Sequence, residues 1–156
     1  MAQYPFFPMF VDLSRRHVLV VGGGRIAARR VHTLTQFCPS ITVVAPAIHP
    51  DIAALTAEGR VQLSERTWQA EDLEGIDLVL ACTDDKALNA AIAGACRARS
   101  IPVNDAGDRR DCDFLFPGIA HRGAVVAGIT AGGEDHALAR RATEAIRECL
   151  DDVLDQ

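Results

Sequence analysis

The chain has 156 residues, of which 49% are hydrophobic and 24% are charged, and this predicts one compact domain with a small additional segment. Its net charge is -5 at pH 7. This acidic balance argues against binding to nucleic acid or to a membrane surface, because such proteins present cationic surfaces.

Cysteine content and hydropathy indicate the compartment. The five cysteines include no C-x-x-C pair, and an odd number does not suit a disulfide framework. We interpret them as small core residues in a reducing environment. Residues 1–8 lack the basic and apolar regions of a leader, and no segment approaches the roughly 18 apolar residues of a membrane span. We therefore expect a soluble, cytoplasmic protein with no membrane partner.

Residues 18–27 read as a buried strand, a glycine turn and the start of a helix. The spacing Gly22-x-Gly24-x-x-Ala27 fits the dinucleotide fingerprint G-x-G-x-x-G/A. Gly22 permits the tight turn, Gly24 lets the backbone approach a pyrophosphate, and Ala27 lets the helix pack against the strand. The helix N-terminus then offers N–H groups and a partial positive charge to the phosphates. A glycine turn that only connects strand and helix is the alternative.

Strand and helix patterns continue to alternate, which predicts an α/β fold with a Rossmann-like parallel sheet. The first helix carries an apolar stripe that reaches Cys38 and ends near Pro39. The further predicted strands are residues 41–45, 61–63, 77–81 and 101–104. A short helix is predicted within residues 50–59 and a longer one around residues 88–96.

The pattern changes after residue 110. Residues 114–120 and 124–130 predict a hairpin around the turn Arg122-Gly123. One apolar face of a final helix follows, formed by Leu138, Ala142, Ala145, Ile146, Cys149, Leu150 and Val153. A hairpin and one helix cannot bury both their faces alone. We expect residues 1–110 to form an NAD-binding Rossmann domain and residues 111–156 to form a dimerisation segment of a homodimer.

Seven separated pieces of the sequence, in order and nearly ungapped, resemble one family. They are residues 7–13 (FPMFVDL), 20–27 (VVGGGRIA), 43–46 (VVAP), 81–89 (ACTDDKALN), 103–104 (VN), 112–117 (CDFLFP) and 130–140 (TAGGEDHALAR). The chain resembles the precorrin-2 dehydrogenase family, which is the dehydrogenase module of siroheme synthase. The resemblance implies a homodimer that uses NAD to oxidise precorrin-2 to sirohydrochlorin. Some members also insert ferrous iron or cobalt.

The predicted cofactor contacts come from the glycine turn and from this resemblance. They are Gly22, Gly23, Gly24, Arg25, Ile26, Pro46, Ala47 and Thr83. Thr83 follows the fourth strand, at the sheet edge where ligands of open α/β sheets bind. No acidic residue ends the second strand to hold an adenine ribose, and Arg25 stands where a 2′-phosphate would be reached. NADP therefore stays open beside NAD.

The resemblance exposes a departure in the loop at residues 104–110. Family members with both activities read Asn-Val-Val-Asp there, and that aspartate is credited with acid–base work, whereas Gly107 occupies its position here. Asp105 and Asp108 are close enough to replace it as catalytic carboxylates, and each can equally form a turn. We expect hydride transfer to survive, because the cofactor carries that step. Metal insertion is the more vulnerable activity.

The substrate implied by the resemblance is rich in carboxylates, so an acidic protein must meet it with a local cationic surface. The predicted substrate contacts are Asn104, Arg109, Arg122, Gly132, Gly133 and Arg140, and no metal ligand is predicted. Solvation of a surface is the alternative role for each arginine. Two other functions stay open: a redox-silent tetrapyrrole carrier and a nucleotide-sensing module with a dimerising tail.

Overall fold

The computed structural model describes residues 5–154 and divides into two units. One unit is Val11–Phe114, and the other joins the residues up to Phe10 with those from Leu115 onward. The expected boundary after residue 110 falls inside the first unit. Asp113 is tied to that unit, because its backbone N–H donates to the carbonyl of Val103 and its carboxylate accepts from the Val103 N–H, both at 2.9 Å. Residues 1–4, on which the expected lack of a leader partly rests, lie outside the described residues.

The first unit contains a five-stranded parallel sheet of order β3-β2-β1-β4-β5. Its strands are β1 (His17–Val21), β2 (Ser40–Val44), β3 (Gln62–Ser64), β4 (Leu78–Ala81) and β5 (Val103–Asp105). β1 is central, and its Val18 pairs with Ile41 on one side and Leu78 on the other. Apolar runs such as those of β1 and β4 are typical of parallel strands buried on both faces. The Rossmann-like α/β prediction is confirmed.

Three helices connect these strands: α1 (Arg25–Leu34), α2 (Pro50–Ala57) and α3 (Lys86–Ala98). The prediction that α1 continues to Pro39 is wrong, because it ends at Leu34. Cys38 lies just after the helix, at the end of a turn that is closed by a hydrogen bond from its N–H to the Leu34 carbonyl at 2.8 Å. Because Cys38 is buried there, it lengthens the apolar stripe beyond the end of α1. Asp85 caps α3, since its carboxylate accepts from the backbone N–H groups of residues 87 and 88.

The second unit holds an antiparallel hairpin, β6 (Gly118–Arg122) and β7 (Val125–Ile129), followed by helix α4 (His136–Leu154). The hairpin is confirmed, although its first strand begins at Gly118 rather than at residue 114. Pro117, which has no N–H for a ladder, precedes that start. Gly123 makes the turn with a left-handed φ of 58°. The helix is tied to β6, because the Arg147 guanidinium donates to the Ile119 carbonyl at 2.7 Å.

All five cysteines are free, and three of them, Cys38, Cys82 and Cys96, are buried as predicted. Cys149 differs, because it is exposed on α4 within its unit. Burial raises the pKa of the Cys96 thiol to about 11, so it stays protonated and inert at neutral pH. Across residues 5–154, none of the helices has the length and apolar character that a membrane span requires.

Candidate functional site

A cleft of about 560 Å³ opens in the unit Val11–Phe114, at the carboxyl end of its sheet. Its walls are the glycine turn after β1 and the segments that follow β2, β3 and β4, namely residues 22–24, 45–49, 67–68 and 82–85. From β1 the sheet extends to one side through β2 and β3, and β4 and β5 are then added on the other side of β1. The order of the strands therefore reverses between β1 and β4. The crevice outside such a reversal is where open α/β sheets bind their ligands.

The glycine turn is wedged between the ends of β2 and β4. Gly22 has a left-handed φ of 118°, and a Cβ there would come closer than 3.0 Å to the Cys82 carbonyl. A Cβ on Gly23 would collide in the same way with the Ala47 carbonyl. The Gly23 carbonyl also accepts from the N–H of His49 at 2.7 Å. Glycine is therefore required at both positions by the fold itself.

Gly24 is different, because a Cβ there would meet no atom within 4 Å. It is the N-cap residue of α1, in extended backbone, and no side chain caps the helix. The first turn of α1 also carries no acidic residue. An open space above an uncapped helix N-terminus fits a pyrophosphate, which the helix dipole and the backbone N–H groups both favour. The predicted contacts Arg25 and Ile26 are the first two residues of α1 and are exposed.

The β2 edge of the cleft carries Pro46 and Ala47, whose contacts with the cofactor stay predictions, and then Ile48 and His49. Among the described lining residues at this edge, none is Asp, Glu, Lys or Arg. His49 caps α2, because its Nδ1 accepts from the N–H of Asp51 at 3.2 Å. This edge therefore offers an adenosine backbone groups, apolar surface and one imidazole.

The β4 edge is organised by Asn89, a residue that sequence reasoning did not single out as functional. Its side chain is fully buried, and its Oδ1 accepts from the Thr83 N–H at 3.2 Å and lies 2.6 Å from Thr83 Oγ1. Its Nδ2 donates to the Thr83 carbonyl at 3.1 Å and to Asp105 Oδ1 at 3.3 Å. Asn89 thus fixes the loops after β4 and β5 together. A buried amide on the apolar face of α3 was the available signal.

The two candidate carboxylates are engaged in the loop after β5. Asp105 is 5% exposed, and its Oδ1 accepts from the N–H groups of Gly107 at 2.7 Å and Asp108 at 3.2 Å. Asp108 accepts from the guanidinium of Arg110, and these hydrogen bonds lower the pKa of Asp108 to about 2. A carboxylate with so low a pKa is a weak base near neutrality. Gly107 lies beside this arrangement without any side chain.

Asn104 connects three parts of the first unit. It is 2% exposed, its Oδ1 accepts from Arg30 at 2.6 Å, and its Nδ2 donates to the Phe114 carbonyl at 2.8 Å. Its Nδ2 also lies 3.4 Å from the sulfur of Cys112. These bonds favour a positioning role for Asn104, and a contact with substrate stays a prediction.

The remaining predicted substrate residues are distributed over both units. Arg109 is exposed in a short 3-10 turn, Arg109–Asp111, of the first unit. In the second unit, Arg122 pairs with Asp151 at 2.9 Å, and Arg140 is exposed on α4. Gly132 and Gly133 both have left-handed φ angles, of 67° and 74°, which glycine adopts without strain. Their contacts with substrate stay predictions.

Comparison with known proteins places this geometry in a family. The sequence model of the NAD_binding_7 family, described as "Putative NAD(P)-binding", matches residues 9–118. The chain is 37% identical over 145 residues to a siroheme synthase of Methylococcus capsulatus, covering 93% of this chain and 31% of that protein. It is 40% identical over 133 residues to the siroheme synthase of Methylobacillus flagellatus, covering 85% and 28%.

The chain thus spans about a third of the length of these curated relatives. Among solved structures, it is similar to SirC, a precorrin-2 dehydrogenase, with a TM-score of 0.81 and 29% identity over 92% of this chain and 70% of that one. These similarities confirm the family resemblance. Since the family's sequence model spans the glycine turn, the whole parallel sheet and the cleft, the chain belongs to this NAD(P)-binding family.

Proposed function

We propose that this chain catalyses the NAD-dependent oxidation of precorrin-2 to sirohydrochlorin. The observation that carries the proposal is the open space above Gly24 at the uncapped N-terminus of α1, in a chain similar to siroheme synthases and to SirC. NAD, when bound, supplies the acceptor for the hydride. The protein's share is therefore to hold the cofactor, position the tetrapyrrole and manage the accompanying protons.

The residues of the cleft divide this work. The N–H groups at the start of α1 bind the pyrophosphate, while Gly22 and Gly23 keep the turn closed against β4 and β2. Residues 46–49 face the adenosine half, because the ribose contact of this fold follows β2. Thr83, which is hydrogen-bonded to Asn89, borders the nicotinamide half of the cofactor. Asn89 and Asp105 act as positioning residues, since their hydrogen bonds are made within the protein.

The substrate and the partner subunit belong to the same proposal. Arg109, Arg122 and Arg140 are the cations we assign to the carboxylates of precorrin-2. Residues 111–156 join two copies of the chain in a cytoplasmic homodimer. In support, Leu138 and Val153 of α4 are 46% and 59% exposed in the single chain, although they belong to its predicted apolar face. A second copy would remove that surface from water.

We also propose that insertion of Fe²⁺ or Co²⁺ into sirohydrochlorin is weak or absent. Metal insertion requires removal of pyrrole protons, for which a positioned base is worth about 10²- to 10⁴-fold in rate. Position 107 has no side chain, Asp105 accepts hydrogen bonds from its own loop, and the pKa of Asp108 is about 2. Position 107 thus offers no base, the Asp105 carboxylate is engaged in its own loop, and Asp108 is a weak base near neutrality.

The primary experiment is an anaerobic assay of the purified protein with precorrin-2 and NAD. Sirohydrochlorin and NADH, each followed by its absorbance, should form together in equimolar amounts. Binding of precorrin-2 without NADH formation would instead identify a redox-silent carrier, and binding of NAD without any binding of precorrin-2 would identify a nucleotide sensor. NADP is compared at the same concentrations, and we expect slower turnover because none of the described residues lining the β2 edge is Lys or Arg.

Gly107→Asp tests the assignment of the metal-insertion defect. A Cβ at this position would lie 3.3 Å from Asp105 Oδ1 and 3.4 Å from Asn89 Nδ2, so it is accommodated with a small local shift of these side chains. Two neighbouring carboxylates raise the pKa of one of them, which makes a better base. We expect Gly107→Asp to gain metal insertion, measured with Co²⁺ and sirohydrochlorin. Gly107→Asn is the uncharged control. Robust insertion by the wild type that persists in Asp105→Ala and Asp108→Ala would contradict the proposal.

A further inference from the structure

Trp68, the one tryptophan of the chain, follows β3 and lines the dinucleotide cleft together with Thr67. It is only partly buried, and it also packs against the core cluster of its unit, which includes Leu73 and Ile92. The indole therefore has one part against the core and another part on the wall of the cleft. Trp68 has no role in the division of work proposed for the cleft residues.

The backbone on either side of Trp68 is held by several hydrogen bonds. The Arg66 guanidinium donates to Asp72 Oδ2 at 2.9 Å and to the Thr67 carbonyl at 3.0 Å. Asp72 also accepts from the N–H of Gln69 at 2.8 Å, as part of a capping box. The hydrogen bond from Arg66 is the main reason that the pKa of Asp72 lies below its usual value. The segment is thus positioned by a charged pair, although it forms neither a strand nor an α-helix.

The indole N–H of Trp68 is buried and has no hydrogen-bond partner among the described residues. An unpaired buried donor costs free energy, and phenylalanine would supply an apolar ring without that cost. The N–H is shielded from solvent, so it is the carbon surface of the ring that the cleft presents. The large aromatic surface is therefore the feature of Trp68 that a ligand would use.

We propose that Trp68 is the wall against which the adenine ring of the dinucleotide packs. The adenosine half lies toward β2 in this fold, and β3 is the strand beyond β2 on the same side of β1, so residues after β3 border the adenine. Within residues 5–154, the lining of the β2 edge offers this half neither a carboxylate nor a Lys or Arg side chain. Apolar and stacking contacts must then supply much of the affinity for the base, and an indole provides the largest aromatic surface.

This inference rests on the proposed NAD-dependent function, and the fluorescence of Trp68 tests it directly. No other tryptophan contributes to the signal. Titration with NAD, and with AMP as the adenine-bearing fragment, should produce a saturable change in Trp68 emission. Nicotinamide mononucleotide, which lacks adenine, should produce none at the same concentrations. AMP should compete with NAD for the emission change.

Calorimetry on variants supplies the second measurement. When an aromatic side chain that stacks on one base is truncated, the affinity falls by about 5- to 160-fold. Trp68→Leu should therefore weaken the binding of AMP and of NAD by a factor in this range. Trp68→Phe, which keeps an aromatic ring and removes the unpaired N–H, should lose less and retain the thermal stability of the wild type. Asp72→Asn should give an intermediate loss, because it weakens the support of the same segment. Phe10→Ala, which removes an exposed ring from the other unit, is the matched control and should change neither affinity.

The outcomes separate the two proposals. If NAD binds the wild type while Trp68 emission stays constant and Trp68→Leu binds NAD and AMP as well as the wild type does, the adenine assignment is wrong and the proposed function stands. If folded wild-type protein binds neither NAD nor AMP, both proposals fail. A nicotinamide mononucleotide titration that changes the emission as AMP does would also overturn the assignment, because it would place the other half of the cofactor at Trp68.

Discussion

Gly24→Val separates the role of the glycine turn in binding from its role in folding. A Cβ at Gly24 would meet no atom within 4 Å, whereas the same atom on Gly22 or Gly23 would collide with backbone. The backbone of Gly24 is extended, with φ of -81°, so no left-handed conformation requires glycine there. The substitution therefore leaves the turn intact and fills only the space that we assign to the pyrophosphate.

The expected magnitudes follow from this geometry. Valine is a weaker N-cap than glycine, so the stability of α1 should fall by no more than about 1 kcal/mol. In contrast, a hydrogen bond between a backbone N–H and a charged phosphate is worth about 1.5–3 kcal/mol. Displacement of the pyrophosphate that breaks even one such bond should weaken NAD binding by about 10- to 160-fold. The effect on binding thus exceeds the effect on folding.

Calorimetric titration with NAD and thermal unfolding by circular dichroism measure the two effects on one preparation. Gly94→Ala is the matched control, because Gly94 is exposed in α3 and a Cβ there also meets no atom within 4 Å. It should keep the wild-type affinity and slightly raise the unfolding temperature, as Gly→Ala does within a helix. A Gly24→Val protein that is folded and binds NAD with unchanged affinity would refute the placement of the pyrophosphate.

Three further predictions concern the fold and its partner. Gly23→Ala should destabilise the unit by more than Gly24→Val does in thermal unfolding, because its Cβ collides with the Ala47 carbonyl; equal unfolding temperatures would contradict the collision. Sedimentation at micromolar concentration should give a dimer, and deletion of residues 115–156, which leaves the unit Val11–Phe114 whole, should abolish it; a monomeric full-length chain would contradict the dimer proposal. Asp108→Asn should lower the free energy of unfolding at pH 7. Because folding depresses the pKa of Asp108, the difference from the wild type should disappear as the pH falls from 3.8 through about 2. A stability difference that is constant over this pH range would contradict that linkage.

Local sequence patterns were sufficient to predict the part of the site nearest to β1. The motif at residues 20–27 combines a buried strand, a turn that needs glycine and a helix start, and these three features lie within one short segment. Each is set by short-range sterics: Gly22 has a left-handed φ, and Ala27 is fully buried against the sheet. The parallel sheet was also predictable, because strands that alternate with helices pair in parallel.

Contacts between distant segments were not predictable from the same patterns. Asn89 joins Thr83 to Asp105, which lies 16 residues after Asn89 in the sequence. Nothing in the helical stripe of α3 indicates which side chains an amide on it will meet. Trp68 lies between a strand of three residues and a 3-10 turn of four residues. Both elements are too short to show a hydrophobic periodicity in the sequence. The end of α1 was misjudged for a related reason, because burial of Cys38 arises from a turn that packs on the sheet.

Under the proposed function, the loop after β5 would explain how the chain keeps dehydrogenation without metal insertion. Hydride acceptance depends on the cleft between β2 and β4, and its floor is fixed by glycines that tolerate no side chain. Proton removal depends on a carboxylate in the loop, where the structural demands are met by Asp105, whose hydrogen bonds to Gly107 and Asp108 close the turn. Since the turn needs nothing from a side chain at position 107, the fold places no constraint that would retain an aspartate there. Metal insertion is then the remaining function that would require an acid at that position, and a glycine there fits our proposal that this chain inserts metal weakly or not at all.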